Sequence, residues 1–153
     1  ILSPPESPGN ILQYTREGLG TYGAVAVPIL HEFHPEQVHH IVNHSESRIL
    51  FVGDLVWKKL DAKEMPDLEG IVQLNDWTLL SAKNKKLKDT VENLNRCFGE
   101  KYPASFGQKD LAYHADEPEE LAIINYTSGT TSNSKGVMIP YRAIVASTGI
   151  NHW

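Results

Sequence analysis

The segment Tyr126–Gly136, YTSGTTSNSKG, gathers the side chains best suited to chemistry. Six hydroxyls, on Thr127, Ser128, Thr130, Thr131, Ser132 and Ser134, fall within eight positions beside Gly129, Asn133 and Lys135. Buried without partners, so many hydroxyls would be strongly destabilising. Presented at the end of a strand, they suit an anion. Hydroxyls and the backbone amides that glycine exposes donate to phosphate oxygens, and the Lys135 ammonium adds a compact positive charge able to meet a polyphosphate. Gly129 and Gly136 are expected to turn the backbone sharply here. An ordinary surface turn is the competing reading. A Walker A loop is excluded on spacing, because that motif places glycine directly before its lysine and Ser or Thr directly after. Lys135 instead lies between Ser134 and Gly136.

The elements that must hold this segment alternate along the chain. Three prolines, Pro4, Pro5 and Pro8, keep the first ten residues out of regular helix. Ile11 to Thr21 reads as a helix with Ile11, Leu12, Thr15 and Leu19 near one face. Ala24–Leu30 is an apolar run without polar alternation, as expected of a strand covered on both faces, and Pro28 marks its end. Pro35 suits a first helical position, and Val38, Ile41 and Val42 form that helix's apolar face. Arg48–Val52 is a second buried strand, Asp54 a candidate cap for a helix carrying Leu55, Val56 and Leu60, and Ile71–Leu74 a third strand. The stretch from Asn75 to Glu120 reads as a solvated helix and loops, its Leu87, Val91, Leu94 and Phe98 forming a stripe. Leu121–Asn125 is a fourth buried strand, running straight into the hydroxyl-rich segment. This alternation predicts an α/β fold with a doubly wound, mostly parallel sheet and helices on both faces. In such sheets ligands bind at the carboxyl ends of strands, where this segment lies.

Composition narrows the classes. At 153 residues the length is that of about one domain, and 41% hydrophobic with 22% charged residues is ordinary for a globular chain. A net charge of −5 argues against a nucleic-acid partner. One cysteine, Cys97, excludes an internal disulfide, and without a CxxC pair no structural zinc site is expected. No apolar run is long enough to span a bilayer and no signal peptide opens the chain, so a cytoplasmic setting is expected. The chain begins at Ile1 without methionine and stops in a helix-like stretch, which suggests a piece of something longer.

The hydroxyl-rich segment resembles the phosphate-binding signature of the adenylate-forming (AMP-binding) enzymes, T-S-G-[ST]-T-G-x-P-K-G. Thr127, Ser128, Gly129, Thr130, Thr131, Lys135 and Gly136 match seven of its nine defined positions, and Ser132 and Ser134 stand for its glycine and proline. Gly20–Leu30 (GTYGAVAVPIL), Pro35–Val52 and Met138–Ile144 (MIPYRAI) are similar to neighbouring family segments, so the resemblance runs from about Ile11 onward. It is most like a long-chain fatty-acid–CoA ligase. The resemblance implies that residues 1–153 form a single α/β subdomain of a larger N-terminal AMP-binding domain. It implies ATP-dependent activation of a carboxylic acid, first to an acyl-adenylate and then to an acyl-CoA. Thr127, Ser128, Gly129, Thr130, Thr131, Ser132, Lys135 and Gly136 would bind ATP phosphates. The implied partners are ATP with magnesium, a carboxylic acid (by this likeness a fatty acid), coenzyme A and the rest of the same polypeptide. The family's catalytic residues and its magnesium ligand are expected beyond Trp153, so the segment alone should not turn over. A non-catalytic nucleotide-binding or interaction module, or a peptide-synthetase adenylation domain, are the alternatives.

Other chemistry-bearing residues read as structural. His39, His40 and His44 are expected on the solvent side of their helix, opposite Val38, Ile41 and Val42, rather than around a metal. Cys97 lacks a neighbouring His or Asp to activate it. Trp57, Trp77 and Trp153 are expected to pack. Arg142 could assist the phosphate segment or serve the surface.

Overall fold

The computed structural model describes residue 19 and residues 22–102, 104–105, 107–110, 112, 115, 117–127 and 134–147. The helix expected at 11–21 lies outside them, apart from Leu19. From Ala24 to Leu30 no continuous strand forms. Ala26 alone pairs in parallel with Ile123, its amide donating to the Ala122 carbonyl at 2.9 Å and its carbonyl accepting from the Ile124 amide at 3.0 Å. Pro28 has no amide to extend the ladder, which is the physical reason the pairing stops.

Helix α1 spans Pro35–His44 as expected, with proline at its first position. The Gln37 side-chain oxygen accepts from the His34 amide at 3.0 Å and closes the start. Val38, Ile41 and Val42 are buried, each contributing about 1.5–3 kcal/mol by leaving water. The helix ends through Glu46, whose φ of 55° is left-handed, while the Ser47 amide donates to the Val42 carbonyl at 3.1 Å. Strand β1 follows at Ile49–Val52. Helix α2 is a single turn, Asp54–Trp57, capped by Gly53 with Asp54 as its first residue. Leu60 therefore packs from beyond the helix rather than within it. After a 3-10 turn at Ala62–Glu64 comes β2, Gly70–Gln73. The connection is long enough for a crossover, and β1 and β2 pair in parallel with Leu50 opposite Ile71.

Parallel pairing goes no further. β3, Leu79–Ala82, turns back antiparallel on β2 through a short turn in which Asp76 Oδ1 accepts from the Thr78 amide at 2.9 Å. That bond holds the Asp76 carboxyl below its ordinary value of 3.8. The solvated helix expected after Asn75 thus begins with an edge strand. Its sequence, LLSA, is half exposed and lacks β-branched residues, which hid it. The Leu87–Phe98 stripe is divided between α3 (Lys85–Glu92) and α4 (Leu94–Lys101), broken at Asn93. Asn84 caps α3 by accepting from the Leu87 amide at 2.6 Å.

The second sheet holds β4 (Leu121–Thr127) and β5 (Lys135–Pro140), paired antiparallel, followed by α5 (Tyr141–Ser147). The seven residues between the strands are too few for the crossover that parallel pairing needs. The α/β class therefore stands, while the described strands make a mixed arrangement rather than a mostly parallel sheet: a three-stranded sheet ordered β1-β2-β3 and a two-stranded one. The core gathers Val38, Val42, Val52, Met65, Leu68 and Ile71, with Trp57 packed against it. Trp77 is only partly covered, meeting Phe51 edge-on, and Trp153 lies outside the described residues. No helix among the described residues is long and apolar enough to cross a membrane.

Candidate functional site

The antiparallel ladder fixes where the two ends of the hydroxyl-rich segment go. Its last rung pairs Thr127 with Lys135, so a hydroxyl and an ammonium leave the sheet side by side at one open end. Across a rung, Cα atoms stand roughly 4.5–5.5 Å apart. Both residues are exposed, and among the described residues Lys135 has no ion-pair partner. An unpaired ammonium beside a hydroxyl can meet an anion without first giving up a protein contact. Ser134, next to this rung, is buried. Ser128, Gly129, Thr130, Thr131 and Ser132 lie outside the described residues.

Gly136 has a role other than the expected one. It sits inside β5, not at a turn, and a Cβ there would stand 3.0 Å from Ile124 Cγ2, 3.0 Å from Tyr126 Cζ and 3.2 Å from the Tyr126 hydroxyl. Glycine fits here because the Tyr126 ring crosses the ladder close against its backbone, leaving little room for a side chain, and not because the chain bends. Tyr126 is 4% exposed, and burial pushes its phenol pKa above the ordinary value, so it stays protonated at neutral pH.

The phenol is held from α1. His44 Nδ1 and the Tyr126 hydroxyl share a hydrogen bond of 2.7 Å, and the two rings meet edge-to-face with centroids 5.8 Å apart. His40 lies one helical turn earlier, 5.5 Å from the His44 ring, and its Nε2 is buried without a hydrogen-bond partner. His39 Nε2 accepts from the Asp61 amide at 3.1 Å. His44 is exposed as expected yet bonded to Tyr126, whereas His39 and His40 are half-buried rather than on the solvent side. The sequence carried no sign of the His44–Tyr126 contact, which joins residues 82 apart.

Arg142 belongs elsewhere. Its Nε meets Glu119 Oε1 at 2.7 Å, next to the Leu121–Pro140 rung at the far end of the ladder. At ~3.3 Å per residue, β4 puts that rung roughly 20 Å from Thr127. Cys97 is half-buried on α4. An apolar groove of about 870 Å³ runs between the Ala24–Ile29 segment and β1, lined also by Leu121 and Ile124 of β4.

Residues 17–153 match the model of the family described as AMP-binding enzyme. The chain is 30% identical over 141 residues to human long-chain-fatty-acid–CoA ligase 1, covering 85% of this chain and 19% of that protein. It is also 30% identical over 132 residues to 3-methylmercaptopropionyl-CoA ligase of Ruegeria pomeroyi, covering 84% and 22%. Among solved structures, the anthranilate CoA ligase AuaEII bound to anthranoyl-AMP superposes with a TM-score of 0.61 at 21% identity, covering 84% of this chain and 22% of that one. The chain therefore spans about a fifth of the length of these relatives.

Proposed function

The chain belongs to the AMP-binding enzyme family, and on that premise we propose that it is the part of an ATP-dependent carboxylate-activating ligase that holds the ATP phosphates. The observation that carries this reading is the Thr127–Lys135 rung, where a hydroxyl and an ammonium with no ion-pair partner among the described residues share one open end of the hairpin. In the first half-reaction the substrate carboxylate oxygen attacks the α-phosphorus of ATP. The bond to the β-phosphate bridging oxygen breaks, giving an acyl-adenylate and pyrophosphate. Charge accumulates on the departing pyrophosphate, and positioned donors that meet it there lower the barrier. Thr127, Ser128, Thr130, Thr131 and Ser132 supply hydroxyls, Gly129 allows close backbone approach, Gly136 makes room for the Tyr126 ring beneath the rung, and Lys135 supplies the charge. In the second half-reaction the thiol of coenzyme A takes the acyl group and AMP leaves.

The human relative's name supports a long-chain fatty acid as the carboxylate. No three His, Cys, Asp or Glu side chains converge among the described residues, and no step is assigned to magnesium. Lys135→Ala in the full-length polypeptide tests the reading. A charge-assisted hydrogen bond is worth ~1.5–3 kcal/mol, so carboxylate-dependent ATP–pyrophosphate exchange should fall roughly 10- to 150-fold. Thioester formation from preformed acyl-adenylate should stay near the wild-type rate. Equal losses in both half-reactions, or ATP binding with no exchange in the wild type, would refute it.

A further inference from the structure

We propose that His44 is a positioning residue for this site: through the Tyr126 hydroxyl it clamps the neck of the β4–β5 hairpin and so aims Thr127 and Lys135 at the polyphosphate. The proposal rests on the phosphate-binding reading above. Three observations converge on it. Tyr126 immediately precedes Thr127, and Gly136 immediately follows Lys135, so the Tyr126–Gly136 rung is the one directly beneath the Thr127–Lys135 rung. The phenol end of the Tyr126 ring lies against Gly136, within 3.2 Å of where a Cβ would stand, which fixes the ring across both strands. His44 then holds that phenol at 2.7 Å from a different element, with its ring edge-to-face to the tyrosine.

Without a contact from outside the hairpin, its open end would twist and splay, since two-stranded ribbons have the largest twist and little independent stability. α1 is well suited to resist this. Its opposite side is buried in the main core through Val38 and Val42, so its last turn is a fixed point relative to the first sheet. His40, packed one turn before His44, limits the directions its ring can take. A tyrosine whose hydroxyl served only to satisfy itself could have been exposed or replaced by phenylalanine; here it is buried and reaches across to α1.

The test uses His44→Ala, His44→Asn, Tyr126→Phe and the His44→Ala/Tyr126→Phe pair in the full-length polypeptide. Two readouts are taken: ATP dependence of carboxylate-driven pyrophosphate exchange, and backbone amide hydrogen exchange, with β1 and β2 amides as internal control. His44→Ala and Tyr126→Phe should each raise KM for ATP about 3- to 10-fold, the range one net hydrogen bond allows, with kcat little changed. The double variant should be no worse than either single one, because both remove the same contact. Asparagine, which can place a polar atom near the Nδ1 position, should recover most of the loss. Amides of β4 and β5 should exchange faster in both single variants while those of β1 and β2 do not. Losses that multiply in the double variant overturn the proposal, as does unchanged exchange across β4 and β5. If the wild type shows no pyrophosphate exchange, the phosphate-binding reading fails on its own. The amide arm then decides the clamp: faster exchange confined to the neck supports it, and none refutes it.

Discussion

Gly136→Ala offers a quantitative check on how the open end of the hairpin is built. The added methyl would stand 3.0 Å from Ile124 Cγ2 and 3.0 Å from Tyr126 Cζ. Carbon pairs are comfortable at about 3.5–4.0 Å, so both neighbours must give way by a few tenths of an ångström. Neither neighbour is the loose tip of a long side chain. Ile124 is branched at the contact and Tyr126 is buried and hydrogen-bonded to His44. Overpacking of this kind costs about 1–3 kcal/mol. Against it, alanine loses less backbone freedom than glycine on folding, returning about 0.4–1 kcal/mol. The net expectation is a loss of roughly 0.5–2.5 kcal/mol, localised to β4 and β5. Native-state hydrogen exchange reads such local losses directly, since each 1.4 kcal/mol is about a tenfold change in opening. Amides of Ile124, Tyr126 and Val137 should exchange a few-fold to tens of times faster, with those of β1 unchanged. Shortening one neighbour, in Gly136→Ala/Ile124→Ala, should cost less than the sum of the two single changes. Unchanged protection in Gly136→Ala, together with an undisturbed Tyr126 ring resonance, would refute the argument. Glycine would then be a matter of chain flexibility after all.

Two further expectations concern other parts of the fold. Glu46 holds a φ of 55°, which a residue with a Cβ tolerates poorly, so Glu46→Gly should stabilise the end of α1 by about 0.5–1 kcal/mol, seen as slower exchange of the Ser47 amide. Asp76 has its carboxyl pKa lowered chiefly by the Thr78 amide, so its contribution to the β2–β3 turn is present above about pH 4. That contribution is lost as pH falls through the lowered folded-state value. A Thr78 amide shift that moves in this acid range in wild type, and is flat in Asp76→Asn, would bear this out.

Much of this architecture was legible in the sequence because local rules and burial agree there. Val38, Ile41 and Val42 announce α1 by helical spacing, and the helix buries them as that spacing requires. The parallel β1–β2 pair follows from two apolar runs separated by a helical turn and a long connection. Where the reading failed, pairing was decided by something other than local pattern. Leu121–Thr127 is apolar enough for a parallel sheet, yet only seven residues separate it from β5, and connection length outranks composition in setting direction. β3 was missed since an edge strand needs only one packed face. At the candidate site, the motif singled out Thr127, Lys135 and Gly136, and the structure brings the first two together, but the place of the glycine depends on a neighbour across the ladder. His44 could not be found in this way. Its meaning comes from a contact 82 residues distant, and a lone histidine on a helix surface carries no mark of it.

The parallel bridge between Ala26 and Ile123 has a bearing on how the molecule assembles in time. A hairpin with a short connection closes in roughly 1–10 μs, whereas contacts distant in sequence carry the entropy of closing a long loop and form slowly. β4 therefore has one edge that can zip at once with β5 and another that waits for a segment near the opposite end of the sequence. During synthesis Ala26, α1 and the β1–β3 sheet emerge well before β4 exists, so its distant partners can already be in place when it arrives. The strand that carries Thr127 then joins partners on one side that are already made and on the other that are made just after it. Substitutions that loosen α1 or the Ala26 segment would delay its capture and prolong the exposure of an unpaired strand edge, the feature of a nascent chain most prone to pair with the wrong neighbour.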